Sequence, residues 1–127
     1  MQDKHLYEYA VVRVVPRVER EEFLNVGVVL FSKQQRYLRV RYQLNSVKLL
    51  MLCKDCDVEQ LEKNLKSFEK ICQGTADGGP IAKMDVASRF RWLTAVRSSV
   101  IQTSRPHPGF CTNLDKTLDR LFAELVL

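Results

Sequence analysis

The chain has 127 residues, 46% of them hydrophobic, and 20 Lys/Arg against 15 Asp/Glu give a net charge of +5. That length suits one domain over residues 1–127 with its own core. No run approaches the roughly eighteen apolar residues of a membrane span, so no membrane-spanning helix is expected. The N-terminus, Met1 to Tyr9, lacks the basic-then-apolar design of a signal peptide. A cytoplasmic protein is therefore expected, and Cys53, Cys56, Cys72 and Cys111 are expected to be reduced thiols. The positive excess sits at the two ends: residues 1–42 carry +3, residues 43–84 balance, and residues 85–127 carry +2. A modest basic bias of this kind favours solubility and leaves room for an acidic or phosphate-bearing partner.

The first predicted strand, Leu6 to Val15, is apolar on both parities. Neither face is plainly wet, which predicts a central strand covered on both sides. Pro16 to Phe23 is a link rich in charge, with Arg17, Glu19, Arg20, Glu21 and Glu22, and it is longer than a hairpin needs. Charged side chains on a loop held by a rigid sheet are where binding or chemistry concentrates. A second strand, Val26 to Ser32, follows, and a short turn leads to a third, Arg36 to Tyr42. The third alternates cleanly, with Leu38, Val40 and Tyr42 inward and Tyr37, Arg39 and Arg41 outward.

Asn45 or Ser46 caps a short helix over Val47 to Leu52, and Asp57 with Gln60 forms a capping box for the next. Its stripe of Val58, Leu61, Leu65, Phe68, Ile71 and Cys72 is one buried face, and Gly74 ends it. Asp85 caps a third helix through about Leu93. Arg97 to Thr103 then reads as a fourth strand, and the prolines around His107 predict an irregular segment from Ser104 to Gly109. Asn113 caps the last helix, whose Leu114, Leu118, Leu121, Phe122 and Leu125 form a second stripe. The expected fold is α+β: an antiparallel sheet of about four strands in β-β-β-α-α-α-β-α order, with helices packed on it.

Four constellations carry chemistry. Arg13, Arg17, Glu19, Glu22 and Asn25 flank the first connection, and arginine forks there suit a phosphate or carboxylate. The same groups equally serve as ion pairs pinning the loop, with Gly27 marking close backbone packing. Arg97, Ser98, Ser99, Gln102 and His107 form a second set that suits an anion or a general base, against a purely structural histidine. Glu19 and His107 are the candidate proton acceptors of any enzyme. Cys53-Lys54-Asp55-Cys56 supplies too few ligands for zinc and lacks a helix N-terminal thiol, so no metal and no cofactor is expected. Tyr37, Arg39 and Arg41 could stack bases and neutralise phosphates, or could guard a solvated edge strand. Helix-turn-helix, zinc-finger and Gly-rich phosphate-loop signatures are missing.

From Tyr9 onward the chain resembles a bacterial family catalogued as domain of unknown function 3037. Tyr9 to Arg20, Glu22 to Phe31, Ile71-Cys72, Arg89 to Leu93, Arg97 to Ser104 and His107 to Cys111 carry the resemblance. The Cys53/Cys56 pair lies outside that pattern. The resemblance implies no reaction, but it implies genomic company with a HipA-like serine/threonine kinase. An accessory domain of a toxin–antitoxin or stress module follows as the expectation, bound to that kinase as protein partner. A phosphoester- or nucleotide-directed enzyme and a nucleic-acid-binding module are the alternatives.

Overall fold

A computed structural model describes residues 4–96 and 99–127. Strands β1 (His5–Val14), β2 (Leu24–Ser32) and β3 (Tyr37–Tyr42) form an antiparallel meander. Helices α1 (Ser46–Leu52), α2 (Val58–Gln73) and α3 (Val86–Leu93) follow, then β4 (Ile101–Thr103), β5 (His107–Cys111) and α4 (Leu114–Leu125). The sheet runs β3-β2-β1-β4, and β5 continues along the same edge of β1. The fold is α+β, an antiparallel sheet with helices on both faces.

The mixed parity of β1 has its expected cause. Ala10, Val12 and Val14 pack with Leu61, Leu65 and Phe90 on the α2–α3 side. Tyr7 joins Val28, Leu30, Leu118 and Leu121 on the α4 side. Both faces of the central strand are therefore dry.

The helix ends follow the sequence. Asn45, Asp57, Asp85 and Asn113 each accept the amide N–H three residues on, at 3.0 to 3.3 Å. Each satisfies a donor that the helix itself cannot. Gly74 closes α2 at φ 67°, a left-handed position that suits glycine.

The edge beside β1 departs from the expectation twice. Only Ile101–Thr103 pairs where a strand over Arg97–Thr103 was expected; Arg97 and Ser98 lie outside the described residues. Ser99 and Val100 form a bend, in which Ser99 Oγ donates to the Ile101 carbonyl (2.6 Å) and Gln102 Nε2 donates to the Ser99 carbonyl (2.8 Å). Conversely, His107–Cys111 is a strand despite Pro108. The register explains it. Val15 N donates to Val100 O and Ser104 N to Val11 O, so odd residues of β1 turn their polar groups to this edge. Pro108 stands opposite Glu8, an even position, where the missing N–H costs no ladder bond. Gly109 stands opposite Tyr7, whose ring and hydroxyl fill the space a Cβ would need.

A second irregularity positions polar groups. Val12 pairs Gly27 but Arg13 pairs Asn25, leaving Val26 as the extra residue of a β-bulge. Val26 turns into the α2–α3 core, while Asn25 Nδ2 reaches α4.

Candidate binding groove

At the sheet end, Arg13 lies 4.2 Å over the Phe23 ring, and its Nε donates to Asn25 Oδ1 at 3.4 Å. Asn25 Nδ2 in turn donates to the Leu125 carbonyl at 3.2 Å, in the last turn of α4. A cation beside a helix C-terminus is favourable, so this trio fastens the β1–β2 end to α4. Gln102 is opposite Arg13 on the other side, which makes Asn25, Arg13 and Gln102 one row across three strands.

The remaining polar candidates separate. Arg20 pairs with Glu22 on the connection, and Glu19 is exposed on the 3-10 turn Val18–Arg20. His107 stands opposite Tyr9, with ring centroids 5.3 Å apart. Tyr9 is four residues before Arg13, about 14 Å along the strand. The connection carrying Glu19 leaves the sheet at Val14 and returns opposite it at Leu24. His107 therefore stands beside the middle of β1, whereas the connection carrying Glu19 leaves from its Val14 end. Tyr37, Arg39 and Arg41 face α4: Tyr37 OH donates to Asp115 (2.8 Å), as does Arg39 (3.2 Å), while Arg41 meets Asp119 at 2.6 Å. Burial first, and then the Asp115 bond, raise the Tyr37 pKa above its ordinary value, so its hydroxyl stays a donor.

Arg39, Arg41, Asp115 and Asp119 border one hollow of about 510 Å³, and another lies on the opposite face. A hollow of about 490 Å³ opens between α2, α3 and the Ser99–Gln102 bend, walled by Phe68, Ile71, Trp92, Leu93, Val100 and Ile101. Asn64, Ser67, Ser99 and Gln102 add a few polar groups to its apolar walls. Asn64, Ser67, Phe68 and Ile71 recur at steps of three and four, so a single flank of α2 forms one wall. Asn64 and Val100 also border a second hollow of about 290 Å³ that contains Pro16, Arg17, Cys53, Cys56 and Gln60. Pro16, Arg17 and Cys53 carry it into a third, which reaches Arg20, Glu22 and Met51. The three make one trough, apolar at Trp92 and polar at Arg17. Trp92 is 39% exposed, Val100 40% and Met51 84%, an uncommon amount of apolar surface for one margin.

Arg17, Glu22 and Gln102 among the predicted site residues thus border the trough, while Arg13 and Asn25 brace the other face. Sequence reasoning passed over Asn64, Ser67, Phe68, Ile71, Trp92 and Val100, because α2 reads as one amphipathic helix. The available signal was Trp92, Val96 and Val100, three apolar residues that no helical stripe absorbs. Among the described residues, no group of three or more His, Cys, Asp or Glu could hold a metal ion. Nor is any helix among them long and apolar enough to cross a membrane.

These features define an α+β domain with a two-sided sheet and an open trough along its second helix. Residues 9–126 match the family described as a protein of unknown function, DUF3037, and the chain belongs to that family. No curated protein and no solved structure matches it. Three stretches far apart in the sequence meet at the hollow beside Trp92: Ile71, Trp92-Leu93 and Ser99 to Gln102. Pro16 and Arg17, from the first connection, line its continuation.

Proposed function

We propose that this chain is a protein-binding accessory domain that receives a segment of its partner in the trough between α2 and the Ser99–Gln102 bend. One observation carries the reading: residues far apart in the sequence, on α2, the end of α3 and the Ser99–Gln102 bend, converge on this one concave, largely apolar surface. An apolar side chain of the partner enters beside Trp92 and Leu93, and an acidic group meets Arg17. Apolar anchors in a desolvated hollow supply most binding energy, and peripheral charge supplies orientation. The partner implied by the resemblance is a HipA-like serine/threonine kinase, in a toxin–antitoxin or stress module of a bacterial cytoplasm. The enzyme reading loses ground because Glu19 lies on the connection at the Val14 end of β1 while His107 stands beside Tyr9, and the nucleic-acid reading because Arg39 and Arg41 are already answered by Asp115 and Asp119.

The test is co-expression with the tagged neighbouring kinase. The chain should co-purify at fixed stoichiometry, and Val100→Asp should reduce retention at least tenfold, since a buried unpaired carboxylate costs several kcal/mol. A chain that stays alone, or Val100→Asp retained as well as the parent, rejects the proposal.

A further inference from the structure

Cys53 and Cys56 form a second feature of the trough that partner docking does not use. Cys53 closes α1 through its N–H to the Leu49 carbonyl, and Cys56 immediately precedes the Asp57 cap of α2. Between them, Cys56 N donates to the Cys53 carbonyl at 3.4 Å, so residues 53–56 are one hydrogen-bonded turn. Such a turn holds its end Cα atoms within about 7 Å, close to the span a disulfide bridges without backbone movement. Both thiols line the hollow beside Arg17. Both are half-buried, unlike Cys72 in the core, so a small oxidant reaches them through the open side.

We infer that Cys53 and Cys56 are a reversible dithiol–disulfide pair, a redox modification site on the wall of the trough that exchanges with a small-molecule disulfide such as glutathione disulfide. Cys53 Sγ donates to Asp55 Oδ1 at 3.5 Å, which orients the thiol, and its proton leaves to solvent when the thiolate forms. Cys53 borders two of the hollows and Cys56 only one, so Cys53 is the sulfur an incoming disulfide meets first, while burial raises the Cys56 pKa above its ordinary value. The Cys53 thiolate attacks one sulfur of glutathione disulfide, forming a mixed disulfide and expelling one glutathione thiolate, which takes up a proton. Cys56 then loses its proton and attacks the Cys53 sulfur, forming the Cys53–Cys56 bond and expelling the second glutathione. Two electrons pass from the dithiol to the oxidant, and two glutathione thiols leave.

The experiment equilibrates the intact chain in glutathione buffers of increasing oxidised fraction, quenches free thiols by alkylation, and maps the cysteines by peptide mass. A Cys53–Cys56 linked peptide should accumulate and return fully to free thiols under excess reduced glutathione, while Cys72 is alkylated only after denaturation. In Cys56→Ser, Cys53 should instead stop at the mixed disulfide with glutathione. Free thiols at both positions in fully oxidised buffer would overturn the inference. So would a wild-type chain that accumulates only mixed disulfides, or pairs either residue with Cys111. Kinase binding is no part of the readout, so this result and that of the docking test stand apart.

Discussion

Gly27 shows how one missing side chain fixes a local geometry. A Cβ there would lie 2.7 Å from the Arg41 carbonyl oxygen and 2.8 Å from Tyr42 Cβ, both on the adjoining strand. Neither can move without opening the β2–β3 ladder. Gly27→Ala should therefore cost about 1–3 kcal/mol, read as a lower denaturant midpoint with an unchanged slope. Gly27 was legible in the sequence as a close-packing glycine. Arg13 was legible only as a candidate, because its arrangement depends on Leu125, whose carbonyl holds Asn25 from far along the chain. Arg13→Ala should accordingly lower thermal stability by about 1 kcal/mol while leaving kinase retention intact. Burial pushes the Cys72 thiol up to about 12 from its ordinary 9.0, so the folded state holds that proton more tightly than the unfolded one. Stability from this group is complete below pH 9.0 and is lost as pH rises toward about 12. Denaturant titrations across that window should show the decline, and Cys72→Ala should flatten part of it while lowering stability at neutral pH.

Helix α4 and its neighbours illustrate the next scale. Its stripe of Leu114, Leu118, Leu121 and Phe122 was plain from period alone, and all four are buried. Its charged contacts were not, since spacing within β3 gives no hint of which helix will face Arg39 and Arg41. Asp115 accepts from both Tyr37 and Arg39, whereas Asp119 takes Arg41, whose guanidinium also lies 4.6 Å over Phe122. These pairs are exposed, so each contributes modestly. Asp115→Asn should cost about 1 kcal/mol in dilute buffer and less at high salt, a dependence that Leu118→Ala, at about 2–5 kcal/mol, should lack. Strand β5 is the clearest miss. Two prolines around a histidine signal irregularity, but an outer strand tolerates a proline at every position whose nitrogen faces away from the ladder. Sequence alone does not reveal that parity; the register with β1 does.

Across the whole molecule, the apolar pattern of β1 announced a sheet covered on both sides, and α2–α3 against α4 supply the two covers. The trough was illegible because three surfaces distant in sequence compose it, each unremarkable alone: a helix flank, the end of a second helix and a blunted strand edge. Charge drew attention to the sheet end, where Arg13 and Asn25 turn out to brace α4. Apolar exposure at Trp92 and Val100 marks the trough instead. Amide hydrogen exchange, comparing the chain alone with its complex with the kinase, tests the docking site most directly. We predict slowed exchange along residues 61–71 of α2 and at residues 99–102, with α4 and β3 unchanged. Slowing confined to β3 and α4, with α2 exchanging as in the free chain, would contradict it.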